Sequence, residues 1–203
     1  MKKNAITFLL ATLLVTAGAI ATGIARSTEV EVSAPPAIGA TLEDFRLPDG
    51  EGKEHSLNSL KGKNGSVLIF VATKCPVSNA YNERMEKLAL EYKARGINVI
   101  GINSNVAESA AAVKAHAAQN NLTFAILKDP ANKVADRLGA TVTPEVYFLD
   151  GNNKLLYRGR IDNAKDATRV NSSELRDAIE ATLAGKPVTK TTANAFGCTI
   201  KRA

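Results

Sequence analysis

The sequence predicts an α/β sandwich on one mixed sheet, and three features carry that prediction. Short apolar runs of strand length alternate with helix-like stripes between Ser66 and Leu138. Glu145–Asp150 and Lys154–Arg160 then flank the turn Gly151-Asn152-Asn153, the pattern of an antiparallel hairpin. A last helix, opened by Asn171 with Glu174, runs through Leu175, Ile179 and Leu183 and stops at Gly185 before Pro187. Alternation followed by a hairpin and a helix places helices on a mixed central sheet. At 203 residues, 45% hydrophobic and 23% charged, the chain has material for one globular domain with a real core.

Taken in order, Met1-Lys2-Lys3 precedes an uncharged apolar stretch from Ala5 to Ala25, the n-region and h-region of a secretory signal. Residues 1–25 are therefore expected to be a signal peptide, cleaved after Ala21 or Ala25. An uncleaved anchor is the rival reading, since the stretch approaches the roughly 20 residues that span a bilayer. No Cys follows it, which excludes a lipoprotein anchor. Either reading puts the domain outside the cytosol, in a periplasm or an equivalent exported space where disulfides persist. Residues 26–37 read as a linker, 38–185 as the domain and 186–203 as a tail carrying Cys198. Within the domain, Phe45 and Leu47 share a face of a short strand, Pro48-Asp49-Gly50 turns, and Lys53–Leu60 supplies a return strand plus one helical turn.

Ser66–Ala72 has the length and β-branched content of a buried strand. Cys75 and Pro76 follow it. Pro suits a first helical turn, where its missing N–H has no intrahelical partner. Val77, Tyr81, Met85, Leu88 and Tyr92 then mark one amphipathic helix that Gly96 stops. Ile97–Asn103 reads as a second buried strand, Glu108–Asn121 as an alanine-rich helix, Thr123–Leu127 as a third strand and Asn132–Leu138 as a short helix closed by Gly139. Cys75 thus sits where a central strand hands over to a helix N-terminus. Unpaired amides there favour a thiolate over a thiol, and Lys74 adds a neighbouring positive charge.

The formal charge is +6, two units of it from the leader residues Lys2 and Lys3. The basic residues are interspersed with acids and form no aromatic-basic cluster, which argues against nucleic acid as a partner. His55 falls in a turn region and His116 on the alanine-rich helix, where a surface place is expected.

These residues carry a family resemblance. The order of elements from Ile38 to Gly185 resembles the thioredoxin-like three-layer sandwich, and Ile38-Gly39 through Phe45-Arg46-Leu47 resembles its redoxin, or AhpC/TSA, branch. Ala72-Thr73-Lys74-Cys75-Pro76-Val77-Ser78 is similar to the active-site segment of exported thioredoxin-like reductases, with Cys75 as the first cysteine of C-x-x-C. Thr143-Pro144 is similar to the family's cis-proline step. Phe196-Gly197-Cys198-Thr199-Ile200-Lys201 resembles the tail of a peroxiredoxin-like subgroup. There are departures: Ser78 stands at the second cysteine's place, Ile69 where a buried acid assists proton transfer, and Lys74 in place of Trp. The peroxidase motif P-x-x-x-T-x-x-C fits neither Cys75, with Ala72 and Leu68 at the Thr and Pro places, nor the register of Ser78.

The resemblance implies an exported thiol–disulfide oxidoreductase in which Cys75 is the nucleophile and Cys198, or an external thiol, resolves the mixed disulfide. Ser78 is expected to hydrogen-bond the thiolate, and Thr143 and Pro144 to present backbone to an extended substrate. Glu145 is expected either to accept a proton from Cys75 or to be a strand-edge charge. Two cysteines in an exported chain suggest pairing, and the sequence leaves open a redox couple or a permanent staple in a non-catalytic binding domain. A thiol-dependent peroxidase is the third reading. Partners are a protein or small-molecule disulfide or thiol and an external thiol donor, with no membrane association after signal cleavage. No cofactor is expected. No metal is expected either, because copper-carrying members resemble C-x-x-x-C and Asn79 stands at that second position. In the tail, Pro187–Asn194 reads as a flexible arm, while Phe196 and Ile200 are expected to dock near Cys75.

Overall fold

The computed structural model describes residues 34–202, so the leader, its cleavage sites and most of the linker lie outside the described residues. Among the described residues no helix is long and apolar enough to cross a membrane. The core element is β3 (Gly65–Phe70), buried along its whole length. It pairs in parallel with β4 (Ile97–Asn103) and antiparallel with β7 (Glu145–Asp150). β5 (Ala125–Lys128) extends the sheet beyond β4, and β8 (Leu155–Gly159) beyond β7, giving the order β5-β4-β3-β7-β8.

Alternation along β3 and β7 sends successive side chains to opposite faces. Val67, Ile69, Val146 and Phe148 face one layer, filled by Tyr81, Met85, Leu88 and Tyr92 and by Leu175 and Ile179. Tyr81 joins α2 (Pro76–Ala80) to α3 (Asn82–Lys93), which carries Met85, Leu88 and Tyr92, and α6 (Glu174–Leu183) carries Leu175 and Ile179. Leu68, Phe70, Tyr147 and Leu149 face the other layer, with Phe45, Leu57, Val134 and Leu138. That layer draws on the hairpin β1 (Arg46–Pro48) and β2 (Glu54–Ser56), on α1 (Leu57–Leu60) and on α5 (Lys133–Leu138). Ser56 and Ser59 form a reciprocal capping box for α1, and Gly139 at φ 69° ends α5. A two-stranded sheet of β6 (Val142–Thr143) and β9 (Cys198–Thr199) joins the tail to the domain.

Several boundaries differ from expectation for local reasons. The single helix expected after Cys75 is broken at Tyr81, whose N–H bonds the Ser78 carbonyl at 3.0 Å in a tightened turn. Its hydroxyl is held by Asp162 at 2.8 Å and the Ala164 carbonyl at 3.0 Å. The apolar stripe continues across the break. The third strand starts at Ala125, because the Thr123 amide and hydroxyl are bound by Glu86 at 2.7 and 2.6 Å. Helix α4 (Ala110–Gln119) starts after Ser109, whose hydroxyl accepts the Ala112 N–H at 3.2 Å. On that helix His116 is half-buried rather than a plain surface residue. Its Nε2 lies 3.2 Å from Asn82 Nδ2, and burial lowers its pKa against the opposing pull of Glu108. The expected flexible arm runs beside β8 instead. Arg158 donates its N–H to Thr191 at 2.9 Å and accepts from Ala193 at 3.1 Å.

Candidate active site

Beyond β3 the chain stays buried through Val71 and Ala72, and Val71 N–H bonds Ile102 at 2.9 Å. It then turns through Thr73 and Lys74, and Cys75 becomes the N-cap of α2 with Pro76 at the first helical position. The Ser78 N–H donates to Cys75 Sγ at 3.3 Å. Cys75 is disulfide-bonded to Cys198, 123 residues away, with the Cα atoms 5.8 Å apart. Beside it runs Thr143-Pro144, joined by a cis peptide bond, with the Thr143 carbonyl oxygen 3.4 Å from Cys75 Sγ. Cys198 lies opposite Thr143 in the β6–β9 pair. The structure thus brings Cys75, Cys198, Ser78, Thr143 and Pro144 to one place.

The expected pairing is present: Cys75, 3% exposed, is bonded to Cys198. Ser78 does hydrogen-bond the sulfur, through its backbone amide, while its hydroxyl accepts the Ala72 N–H at 3.2 Å. Glu145, expected as a proton acceptor or a strand-edge charge, is buried and bonded to other groups. Its carboxylate accepts the N–H groups of Thr141 at 2.8 Å and Val142 at 3.3 Å and the Tyr147 hydroxyl at 3.1 Å. Period-two geometry puts Glu145 on the sheet face of Tyr147, opposite the α2–α3 layer. Lys74 is exposed, and its contact here is its backbone amide, which donates to Glu108 at 3.1 Å.

The residue that sequence reasoning missed is Glu108. It is 3% exposed, and its carboxylate accepts the N–H groups of Thr73 at 2.8 Å and Lys74 at 3.1 Å, plus the Asn103 side-chain amide at 2.5 Å and that of Asn105 at 3.3 Å. Burial alone would raise its pKa; these donors outweigh burial and hold the carboxyl below its ordinary range. Lys128 is buried beside it and donates to Asn103 Oδ1 at 2.9 Å and the Asn105 carbonyl at 2.6 Å. Burial lowers the Lys128 pKa, opposed by Glu108 and Asp129. The one available signal was the polar run Asn103-Ser104-Asn105 at the end of a buried strand, which must spend its donors somewhere.

The tail closes the site on both sides. Ile200 N–H bonds Thr141 at 2.9 Å, Lys201 N–H donates to Asn105 Oδ1 at 2.7 Å, and the Lys201 carbonyl accepts from Val106 at 3.1 Å. Phe196 packs edge-on against Tyr81 with ring centroids 6.3 Å apart, whereas Ile200, 3% exposed, enters the opposite core layer. The two apolar residues flanking Cys198 therefore anchor in different layers rather than together at Cys75. This is a closed site: a buried sulfur under a strand, with a second sulfur on that strand.

Residues 38–158 match the model of the AhpC/TSA family. The chain is 33% identical over 119 residues to the thiol-disulfide oxidoreductase ResA of Geobacillus thermodenitrificans, covering 59% of this chain and 67% of that protein. Among solved structures it is similar to a hypothetical protein of Sinorhizobium meliloti, with TM-score 0.77 and 31% identity, over 84% of this chain and 97% of the other. The thioredoxin domain of a thiol-disulfide oxidoreductase from Bacteroides vulgatus superposes with TM-score 0.54 at 17% identity, over 61% of this chain and 88% of that one, a likeness of fold alone. The fold is thioredoxin-like.

Proposed function

The chain belongs to the AhpC/TSA family and is an oxidoreductase, and from that premise we propose that it is an exported thiol–disulfide oxidoreductase whose working couple is Cys75 and Cys198. The observation that carries the reading is the meeting of both cysteines at the α2 N-terminus, beside Thr143-Pro144, with the Ser78 amide on the Cys75 sulfur. An N–H aimed at sulfur favours its ionised form, which makes Cys75 both the better nucleophile at neutral pH and the better leaving group. The basic Met1-Lys2-Lys3 and the apolar stretch after it support export.

In the reduced protein the Cys75 thiolate attacks one sulfur of a substrate disulfide, forming a mixed disulfide and releasing the first substrate thiolate. The Cys198 thiolate then attacks the Cys75 sulfur and releases the second. Two electrons have passed from the protein dithiol to the substrate, and the Cys75–Cys198 bond is closed. An external dithiol reopens it. Cys198 is the less buried of the two, so the incoming thiolate meets it first and Cys75 departs as the stabilised thiolate.

The reduction potential tests this. A working couple lies above about −300 mV and opens in millimolar glutathione, and a Cys198→Ser variant accumulates mixed disulfides on Cys75. A bond that resists the glutathione pool would make the pair a staple and the domain a non-catalytic one.

A further inference from the structure

Resting on that redox reading, we infer that the tail is a built-in copy of the substrate: the site takes an extended cysteine-bearing polypeptide with an aromatic residue two places before the cysteine, glycine immediately before it and an aliphatic residue two places after. Four features of how the tail is held set these requirements. Main-chain pairing comes first. β9 adds to β6 antiparallel, with Cys198 opposite Thr143 and Thr199 opposite Val142, and Ile200 N–H continues the ladder to Thr141. Such strand addition holds any extended segment and carries no sequence preference by itself.

Preference comes from the side chains. Phe196 lies edge-on to Tyr81, and Tyr81 is fixed by Asp162, the Ala164 carbonyl and the Arg84 guanidinium 3.6 Å above its ring. The aromatic subsite is therefore a rigid surface. At the next position a Cβ on Gly197 would collide with the Thr143 carbonyl group and lie 3.3 Å from the Pro144 nitrogen. Both obstacles are backbone of the strand that receives the segment, so they cannot swing aside, and a side chain there lifts the neighbouring cysteine away from Cys75. Beyond the cysteine, Ile200 is buried in the second core layer. The Asn105–Val106 loop then grips Lys201 by its backbone N–H and carbonyl.

Tail and substrate pair with the same β6 edge, so the substrate's main chain leaves β6, still tethered through its mixed disulfide, before Cys198 returns to Cys75 and releases it. The tail is tethered and so present at an effective concentration that a free segment must overcome. The closed form thus excludes protein substrates, and reduction of Cys75–Cys198 is what lets the tail leave.

The test uses the full chain carrying Cys198→Ser and Gly197→Val, in which the tail has lost its sulfur and collides with Thr143. The probe is a peptide of residues 194–201 activated at its cysteine as the mixed disulfide with thionitrobenzoate; Cys75 attacks the peptide sulfur and thionitrobenzoate leaves as the thiolate. We expect the parent peptide to react at least about tenfold faster than versions carrying Phe196→Ala or Ile200→Asp, the loss expected from one buried apolar side chain, and at least as much faster than one carrying Gly197→Val, which collides with the Thr143 backbone. The same ranking at lower overall rates is expected with Cys198→Ser alone, where the tail still competes, so the test survives misfolding of the double variant. Equal rates for all peptides would overturn the inference while leaving the redox reading intact. Failure of Cys75 to react even with the free symmetrical disulfide of thionitrobenzoate would instead overturn the redox reading, and this inference with it.

Discussion

Glu108 accepts the Thr73 amide at 2.8 Å across 35 residues of sequence, and so fixes the turn that presents Cys75. Glu108→Ala leaves that amide, the Lys74 amide and two asparagine side chains without their acceptor, and Lys128 without its facing charge. An unpaired buried donor costs about 1–3 kcal/mol, so we expect a loss of roughly 3 kcal/mol in urea unfolding and slower alkylation of reduced Cys75. Unchanged alkylation at equal occupancy of the folded state would show that Glu108 supports the fold without placing the cysteine.

The Ser78 amide, not its hydroxyl, serves the sulfur. Ser78→Ala is expected to cost about 1–2 kcal/mol through the lost Ala72 bond, yet to leave the alkylation midpoint of Cys75 unmoved. That midpoint should lie below the free-thiol value of about 8.5 in both proteins. A rise on removing the hydroxyl would reinstate the side chain as the thiolate's partner.

Acid should unfold the domain through its held carboxylates. Arg160 holds Glu174 well below the ordinary range, against the raising effect of burial and with help from Lys190, and Arg95 then Tyr92 bring Glu180 down to about 2. Glu108 is lowered as well. A carboxyl depressed in the folded state stabilises above its unfolded pKa of about 4.5 and loses that contribution as pH falls through the folded value. Thermal midpoints should therefore be level from pH 7 to about 5 and fall between about 4.5 and 2. Glu180 contributes least, being half-exposed and screened. Glu174→Gln should lower the neutral plateau and flatten the acid limb; an acid limb as steep as the parent's would remove Glu174 from the account.

Arg84 and Asp162 form a largely buried pair at 2.7 Å that also anchors the Tyr81 hydroxyl. Asp162→Ala strands the guanidinium, which typically costs about 3 kcal/mol or more when a buried partner is removed. Tyr81 then keeps only the Ala164 carbonyl on its hydroxyl and offers Phe196 a less firmly held ring. Calorimetry should show the stability loss, and the oxidised tail should become the preferred site of limited proteolysis. A destabilised protein whose tail stays resistant would separate the pair from tail docking.

Much of the fold was legible because periodicity is a local property. Whether Val67 and Ile69 share a face is decided by their spacing of two, and whether Met85, Leu88 and Tyr92 share one is decided by helical spacing, before any long-range contact exists. The same local logic put Cys75 at the handover from strand to helix and Gly139 at a helix end. What spacing could not supply was the destination of polar groups. The Ser78 hydroxyl is taken by the Ala72 amide, a donor past the end of the strand, and spacing alone does not announce that partner. Glu145 was spent on the Thr141 and Val142 amides at the start of β6 and Glu108 on the Thr73 and Lys74 amides, choices set by which amides lacked backbone acceptors once the chain had taken its path. The sequence determined that two cysteines and two apolar residues end up in the folded part of the chain. Only the tertiary structure decided that Phe196 and Ile200, four residues apart and so on one side of an ideal strand, enter opposite layers: the segment passes from one layer to the other where Cys198 pairs with Thr143, leaving Phe196 against Tyr81 before that crossing and Ile200 in the second layer after it.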